Sequence, residues 1–242
     1  MNAEKLSCIV TGASRGLGRA VAVELARRGR RVCVNFRSNT QAAAETVDAI
    51  RTANGEAFAH EADVRDAPAV AAMIETLADC WGPPGLLVNN AGIARNCLLA
   101  KMSEEEWDKV IATNFRGTLN CCRAAAPVMS AAGGGQIINI ASTSGLRGRE
   151  GQSHYAAAKG AVIGLTLSLA AELAPSRVRV NAVVPGYLPT EMGLAFPGAA
   201  EAARRAHLLG RLSDVEETAR FIADLAETQT VTGQVLTVDG RL

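Results

Sequence analysis

Short apolar runs alternate with longer stretches of helical composition along the whole chain. Strands are predicted at residues 7–11, 31–35, 57–62, 86–89, 136–140, 178–184 and 235–238. Helices are predicted in the gaps, and no repeat or linker interrupts the order. Alternation of this kind is typical of a parallel, doubly wound sheet covered by helices on both faces. The sequence therefore predicts an α/β fold with one domain over residues 1–242.

Glycines stand where several of the predicted helices should end. They are Gly29, Gly55, Gly82 and the run at 133–135. A left-handed cap or a turn is expected at such positions.

The first apolar run passes through three glycines into a helix. Gly12, Gly16 and Gly18 permit a sharp turn and let the backbone approach a pyrophosphate. The amides and the positive dipole end of the following helix would bind its charge. The spacing is TGxxxGxG rather than GxGxxG, and a tight strand-to-helix connection is the alternative interpretation. We interpret the segment as the phosphate-binding turn of a dinucleotide site.

A second group of polar residues suits proton transfer to a carbonyl. Tyr155 and Lys159 are four residues apart in a predicted helix, so they share a face. The Lys159 ammonium could then favour the ionised form of the phenol. Ser142 follows a predicted strand, thirteen residues before the tyrosine. By itself Ser142 could also be a helix cap or a turn residue.

These motifs resemble those of the short-chain dehydrogenase/reductase family, over essentially the whole chain. The resemblance rests on TGASRGLG at 11–18, Asp63-Val64, NNAG at 89–92 and PGxxxT at 185–190. It implies a single-domain Rossmann-type fold. With Arg37, considered below, the predicted cofactor-binding residues are Gly12, Ser14, Arg15, Gly16, Leu17, Gly18, Arg37, Asp63, Val64, Asn90, Ala91, Gly92, Tyr155, Lys159, Pro185, Gly186, Leu188 and Thr190.

The family's catalytic tetrad is matched without substitution by Asn114, Ser142, Tyr155 and Lys159. The resemblance implies reduction of a ketone to a secondary alcohol, with hydride from the nicotinamide and a proton from Tyr155. Lys159 is expected to lower the pKa of Tyr155 and to hydrogen-bond the nicotinamide ribose, and Ser142 to polarise the carbonyl. Asn114 is expected to anchor the water of a proton relay.

The cofactor is predicted to be NADPH/NADP+. An acid about twenty residues beyond the glycines would bind the adenosine ribose of NAD, but no carboxylate occurs between Val32 and Gln41. Arg37 stands near that position, and Arg15 lies within the glycine turn. Two guanidinium groups suit a 2′-phosphate, although either arginine alone is consistent with a solvated surface charge.

Within the family the chain is most similar to the 3-oxoacyl-[acyl-carrier-protein] reductases, through Gln152 and the segments NFRSN, IATN and VVPGYLPTEM. Those enzymes commonly carry basic residues before the fifth strand, where the acidic carrier protein docks. Residues 130–136 contain none, and Arg147, Arg149 and Arg177 are possible substitutes. The segment 191–210 is the expected substrate lid, and its apolar start suits an acyl chain or plain packing.

Three functions are compatible with these residues. The first is an NADPH-dependent reductase of 3-oxoacyl thioesters of acyl carrier protein or coenzyme A. The second is a reductase or alcohol dehydrogenase acting on a free small-molecule carbonyl compound. The third is a catalytically silent dinucleotide sensor, which the intact tetrad disfavours.

Composition adds few constraints. The net charge is +1 and no basic run stands out, so neither nucleic acid nor an anionic membrane is an indicated partner. The start of the chain has too short an apolar run for a signal peptide, and no stretch approaches the ~20 apolar residues of a membrane helix. A cytoplasmic location is the simplest interpretation.

The six cysteines show no CxxC spacing and are expected to be reduced thiols in the core or at an interface. The three histidines are scattered, so no metal site is predicted. His154, beside Tyr155, is expected to line the substrate entrance.

The predicted helix at 156–173 has apolar or small residues on almost every face, including Gly160, Ala161 and Gly164. A further uncharged patch is predicted on the preceding helix at Leu119, Cys121, Cys122 and residues 124–126. Such surfaces are normally buried against a partner. The resemblance implies a homotetramer in which these two helices pair with their symmetry mates.

Overall fold

The computed structural model describes residues 6–196 and 198–241. Seven parallel strands form one sheet in the order β3-β2-β1-β4-β5-β6-β7. The strands are β1 Ser7–Val10, β2 Arg31–Phe36, β3 Glu56–Glu61, β4 Leu86–Asn89, β5 Gly135–Ile140, β6 Val178–Pro185 and β7 Val235–Val238. Each predicted strand is confirmed, and its ends differ from the predicted ones by at most one residue.

Ten α-helices connect or follow the strands within the described ranges. They are α1 Gly16–Arg27, α2 Thr40–Thr52, α3 Ala67–Trp81, α4 Glu104–Ile111, α5 Gly117–Ala131, α6 Thr143–Arg147, α7 Ser153–Leu173, α8 Glu191–Leu194, α9 Ala199–Ala206 and α10 Val215–Glu227. A π-helical turn, Ala112–Arg116, joins α4 to α5, so that these two helices run on without a break.

Alternate residues of the strands feed two hydrophobic cores, one on each face of the sheet. In β1, Cys8 and Val10 point to the side covered by α1, α2 and α10, and Ile9 points to the side covered by α3, α5 and α7. This alternation follows from the two-residue period of a strand. The predicted doubly wound α/β fold with helices on both faces is confirmed.

Side-chain caps begin most of the helices that flank the strands. Asn39 caps α2, Asp66 caps α3 and Asp214 caps α10, each accepting a hydrogen bond from a first-turn backbone amide. Ser103 and Glu106 form a reciprocal capping box at the start of α4. Helix α1 differs, because no side chain caps it and no acid lies in its first turn. Its first amides are therefore available to a ligand.

Four of the six glycines predicted to form a left-handed cap or a turn have the expected φ angles, and Gly135 instead begins β5. Left-handed φ angles occur at Gly29, Gly82, Gly133 and Gly134. Gly55 is different, because the preceding Asn54 takes the left-handed conformation with φ 60°. Gly55 is required for space instead, since a Cβ there would lie 2.7 Å from Ile50 Cγ2.

One segment of the described residues bears on the expectation that no stretch approaches the ~20 apolar residues of a membrane helix. Residues 153–176, which comprise α7 and the 3₁₀ turn after it, contain an 18-residue window of mean hydropathy 1.4. The segment is therefore long and apolar enough to cross a membrane by length and composition alone. One such helix is weak evidence, because helices packed inside a protein meet the same criterion. The predicted absence of a signal peptide concerns in part residues 1–5, which lie outside the described ranges.

Candidate active site

A cleft of about 750 Å³ lies beyond the carboxyl ends of the strands. This is where ligands bind in open α/β sheets. Of all the residues predicted for the cofactor and for catalysis, only Gly18 is absent from its lining. The folded chain therefore brings into one cleft motifs that are spread over residues 12–190.

The glycine turn after β1 is shaped by close backbone packing. Gly12 and Gly16 have φ angles of 61° and 55°. A Cβ on Gly12 would lie 2.9 Å from the Cα atom of Ala91. Gly18 lies behind the turn, where a Cβ would overlap the Asn90 side chain and the Gly12 carbonyl oxygen. Gly18 thus permits helix α1 to pack against the turn and does not line the cleft.

The amino end of α1 opens into the cleft and suits an anion. Arg15 is its N-cap residue but makes no capping hydrogen bond with its side chain. Unpaired amides and the positive end of the helix dipole are the usual features of a phosphate site. The structure thus fits the interpretation of this turn as a phosphate-binding element.

Two residues that the sequence analysis did not single out fasten the loops around this turn. The Thr11 hydroxyl accepts from the backbone amides of Asn90 and Ala91, both at 3.0 Å, and the Asn90 side chain donates to Thr11 O at 2.9 Å. Asn35, at the end of β2, accepts from the Gly12 amide at 3.2 Å and donates to Ala62 O at 3.0 Å. Both residues lie within segments already quoted, TGASRGLG and NFRSN, but no role was predicted for either.

Charged residues at the β2 and β3 side of the cleft are partly paired. Asp63 accepts three hydrogen bonds from the Arg65 guanidinium, two of 3.0 Å and one of 2.5 Å, which lower the pKa of that carboxyl. The charge of Arg37 lowers it further. Arg37 is exposed and makes no hydrogen bond or ion pair within the described ranges. Arg15 is not similarly unpaired, because its Nη1 atom lies 2.7 Å from Glu191 Oε2.

Tyr155 and Lys159 lie on α7 with their side chains in the cleft. The Lys159 Nζ atom is 5.9 Å from the centre of the Tyr155 ring and donates to Ile140 O at 2.6 Å. Burial raises the pKa of Tyr155, and a hydrogen bond with Ser142 opposes that shift. Burial lowers the pKa of Lys159 to about 8. The net direction at Tyr155 is therefore opposite to the expected one, because desolvation of the phenol dominates.

Ser142 is both a cleft residue and a helix cap. Its hydroxyl accepts from the Ser144 amide at 3.2 Å at the start of α6. The capping role that the sequence left open is thus present, and the same side chain interacts with Tyr155. The two interpretations of Ser142 do not exclude each other.

Asn114 lies in the π-helical turn and is fully buried. Its side chain exchanges two hydrogen bonds with the backbone of Ile93, at 3.0 and 2.9 Å, and also donates to Val110 O at 3.0 Å. Turns of this kind are frequent at functional sites. The side chain fastens the loop after β4, and its part in a proton relay stays a prediction.

The segment after β6 closes the other side of the cleft. Thr190 caps α8 by accepting from the Gly193 amide at 3.4 Å, and its methyl group packs close to Gly16. The Tyr187 hydroxyl donates to Gly193 O at 2.5 Å. The predicted lid thus contains the short helices α8 and α9, and Pro197 within its apolar start lies outside the described residues.

Two expectations about individual side chains are wrong. His154 is fully buried and does not line the cleft, because neighbouring residues of a helix lie about 100° apart around its axis. Burial lowers its pKa, and the charge of Glu106 opposes that shift. Most of the predicted patch on α5 is also absent, since Cys121, Cys122 and residues 125–126 face the core under the sheet.

Some cysteines are buried in the core and others are exposed to solvent. Cys8, Cys33, Cys121 and Cys122 are buried, Cys80 is exposed and Cys97 is half-buried, and none forms a disulfide. Over residues 6–196 and 198–241, no group of three or more His, Cys, Asp or Glu side chains could hold a metal ion.

Comparison with known proteins agrees with this geometry. The family model for short chain dehydrogenases matches residues 7–197. The chain belongs to the short-chain dehydrogenase family. Its members are oxidoreductases acting on CH–OH or C=O groups, so this chain is an enzyme of that class.

The relatives of this short-chain dehydrogenase cover nearly its whole length. It is 40% identical over 238 residues to a Staphylococcus aureus 3-oxoacyl-[acyl-carrier-protein] reductase FabG, and the match covers 97% of this chain and 96% of the relative. It is 42% identical over 235 residues to a 3-oxoacyl-[acyl-carrier-protein] reductase of Synechocystis, covering 96% and 94% of the two chains. The crystal structure of a dehydrogenase/reductase from Sinorhizobium meliloti matches with a TM-score of 0.92 at 36% identity, covering 98% of this chain and 94% of that one. The resemblance inferred from the motifs is confirmed.

One further cleft residue of this dehydrogenase had no recognised signal in the sequence. Arg241 lines the cleft from the carboxyl-terminal side, where its Nε atom donates to Asp239 at 2.8 Å and its Nη2 atom to Thr143 at 3.3 Å. It reaches the site only because β7 lies at the sheet edge beside β6.

Proposed function

We propose that the protein is an NADPH-dependent reductase that converts a 3-oxoacyl thioester to the 3-hydroxyacyl thioester. The observation that carries this proposal is the meeting of Ser142, Tyr155 and Lys159 with the glycine turn in one cleft. The relatives named as 3-oxoacyl-[acyl-carrier-protein] reductases, which cover almost the entire chain, support the choice of substrate.

The described residues fit a nicotinamide dinucleotide. The uncapped start of α1 offers amides to a pyrophosphate, and the left-handed φ angles that Gly12 and Gly16 adopt without strain keep that approach open. Arg37 is exposed beside Asp63, and β2 ends without a carboxylate that could bind a ribose hydroxyl. These features favour the 2′-phosphate of NADPH. When bound, the nicotinamide supplies the hydride.

The side chains of the cleft supply the proton and orient the carbonyl. A phenol is already protonated at neutral pH, and burial raises the pKa of Tyr155 further, so Tyr155 acts as an acid toward the carbonyl oxygen. The Ser142 hydroxyl donates to the same oxygen and polarises it. The Lys159 ammonium, held by Ile140 O, stabilises the phenolate that remains on Tyr155.

The carrier of the acyl chain is proposed to be acyl carrier protein or coenzyme A. Of the three possible substitutes for the missing basic residues, only Arg149 lines the cleft. Arg177 precedes β6 and so lies at the amino ends of the strands, away from the cleft. Arg149 and its exposed neighbour Arg147 are therefore the better candidates for contact with an acidic carrier.

A second candidate is a reductase of free ketones. Residues 130–136 contain no basic residue, which favours a substrate that is not delivered by an acidic protein. The exposed side chains of Met192 and Leu194 at the start of the lid suit any apolar ketone.

We also propose a homotetramer in the cytoplasm. A Cβ on Gly164 of α7 would meet no atom within 4 Å, and Leu167 on the same helix is 47% exposed, so this face is open to a second copy. The six free thiols are in keeping with a reducing compartment.

The test is NADPH oxidation measured with acetoacetyl-coenzyme A, an acetoacetyl thioester of acyl carrier protein and a panel of free ketones. A kcat/KM at least about tenfold higher for the thioesters supports the first function. A preference for the free ketones supports the second. Failure with every carbonyl compound, by a folded protein that binds NADPH, would contradict both.

A further inference from the structure

Gln152 joins three segments at the carbonyl-binding end of the cleft. It is the N-cap residue of α7 and only 4% exposed, but its side chain does not cap that helix. Its Oε1 atom accepts from the Ser144 hydroxyl at 2.8 Å. Its Nε2 atom donates to Asn96 Oδ1, also at 2.8 Å. A single amide thus connects α7 with α6 and with the loop after β4.

The bond to Ser144 bears directly on the position of Ser142. The Ser144 amide donates to the Ser142 hydroxyl, so the two serines form one turn. That turn is connected along the chain to α7 by residues 148–151, in which Gly148 and Gly151 have φ angles of 68° and 73°. A loop with two such glycines only weakly constrains the position of α6 relative to α7. The Gln152–Ser144 bond provides a second, shorter connection.

The bond to Asn96 holds the opposite wall. Residues 90–98 after β4 form neither a helix nor a strand. Asn114 fastens this loop at Ile93, and the Cys97 amide donates to Gly151 O at 2.8 Å next to Gln152. The loop is thus held at one end by the π-helical turn and at the other by the start of α7.

We propose that Gln152 is a positioning residue for the reaction, which holds the Ser142 turn and the Asn96 loop at fixed places relative to Tyr155. Tyr155 lies three residues further along the same helix. A group that acts on a carbonyl must be held within a fraction of an ångström, and a displacement of about 1 Å costs on the order of 10²-fold in rate. Gln152 supplies that constraint through its two side-chain hydrogen bonds.

An amide suits this place because one partner donates and the other accepts. The Ser144 hydroxyl donates to the amide oxygen, and the Asn96 oxygen accepts from the amide nitrogen. A buried side chain that lost either bond would leave a polar group unpaired. Glutamine provides both functions at opposite sides of one planar group.

The first test uses Gln152→Leu, which keeps the approximate size and removes both hydrogen bonds. We expect kcat with acetoacetyl-coenzyme A to fall about 10- to 100-fold, while the Kd for NADPH changes less than about twofold. If acetoacetyl-coenzyme A is inert, the free ketone with the highest turnover takes its place, so the test does not depend on the thioester. The matched control is Gln41→Leu, an exposed glutamine on α2 outside the cleft.

A double-mutant cycle tests whether Gln152, Ser144 and Asn96 act on kcat as one unit. Ser144→Ala and Asn96→Ala should each lower kcat in the wild-type background, and neither should lower it further once Gln152→Leu is present. Asn96→Asp should retain most of the activity, because a carboxylate still accepts from Gln152 Nε2. Additive losses in the cycle would overturn the proposal.

Hydrogen exchange supplies a readout without turnover. In Gln152→Leu, the amides of Cys97 and Ser144 should exchange at least about tenfold faster, while those of β5 and β6 stay unchanged. A kcat within threefold of wild type, or unchanged exchange at both amides, would overturn the assignment. So would a parallel loss of NADPH binding and thermal stability, which would show that Gln152 only supports the fold.

Discussion

The Lys159 ammonium donates to the Ile140 carbonyl oxygen at 2.6 Å while the lysine is only 4% exposed. The ammonium thus lies at the end of β5, and its position is set by the backbone of this strand, which leads to Ser142. One hydrogen bond compensates only part of the cost of burying an ammonium, so the pKa of Lys159 falls to about 8. The group is retained at a cost in stability.

Lys159→Met should therefore stabilise the protein while abolishing turnover. The unfolded lysine titrates near 10.5 and the folded one near 8, so at pH 7 the burial penalty is about 3 kcal/mol. The penalty is present in full below pH 8 and disappears as the pH rises toward 10.5. Urea unfolding of both proteins, from pH 7 to 10.5 under reducing conditions, measures it.

The informative quantity is the difference between the free energies of unfolding of wild type and Lys159→Met. Buried thiols with raised pKa values, such as Cys8 and Cys122, weaken both proteins equally as the pH rises above 9. An advantage for Lys159→Met that did not shrink between pH 8 and 10.5 would contradict the assignment of the penalty to this lysine.

Tyr155→Phe should lower kcat by at least about 10³-fold and leave NADPH binding nearly unchanged, because the ring remains and the acidic proton is lost. Tyr187→Phe removes the same hydroxyl group from another tyrosine of the cleft, where it only donates to Gly193 O. We expect it to cost less than about tenfold. Steady-state kinetics decide the point, and Tyr155→Phe activity within tenfold of wild type would refute the role of Tyr155 as the acid.

Arg37→Asp should shift the preference from NADPH toward NADH by about 10²-fold in the ratio of kcat/KM values. A carboxylate repels the 2′-phosphate and can accept from a ribose hydroxyl. Arg27→Asp, at the other end of α1, is the matched control with the same change of charge. An unchanged ratio for Arg37→Asp would remove this residue from the cofactor site.

Leu167→Arg should break the proposed assembly, because it places a charge on the open face of α7 beside Gly164. Light scattering at micromolar concentration should give about four times the 25.2 kDa chain mass for wild type and a smaller species for the variant. Leu209→Arg, at an exposed leucine beyond α9, is the control. A fully active wild-type monomer would contradict the tetramer.

The strands could be predicted because buried parallel strands are near-continuous apolar runs bounded by polar residues. Leu86–Asn89 and Val235–Val238 have the predicted bounds. The π-helical turn around Asn114 gives no such signal in the sequence, since a turn of this kind changes the hydrogen-bond partners of the backbone and not the composition. The contacts of Asn114 with Ile93 therefore could not be derived from the sequence.

Which face of an apolar helix is buried was harder to predict than the existence of the helix. Neighbouring helical residues point about 100° apart, so a residue beside Tyr155 need not face the cleft, and whether His154 is covered depends on where α4 packs. Helix α5 carried a signal that the sequence analysis did not use: Asn120 and the exposed Arg123 are three residues apart and mark the outer side, while Cys121 and Cys122 face the core.

Pairs distant in sequence were also missed. Arg15 and Glu191 are 176 residues apart, and only the packing of α8 on the glycine turn brings them together. Gln152 was recognised by resemblance, but its bonds to Ser144 and Asn96 depend on how α7, α6 and the loop after β4 meet. The motifs indicated which side chains belong to the site, and the fold determined their partners.

The central claim is hydride transfer to a carbonyl carbon with proton donation by Tyr155. It is tested most directly with NADPH that carries deuterium at nicotinamide C4, each epimer separately, and acetoacetyl-coenzyme A as acceptor. Mass spectrometry should find one deuterium at C3 of the 3-hydroxybutyryl product from one epimer and none from the other, and no product with Tyr155→Phe. A product without deuterium from either epimer, or labelled product at an undiminished rate with Tyr155→Phe, would contradict the account.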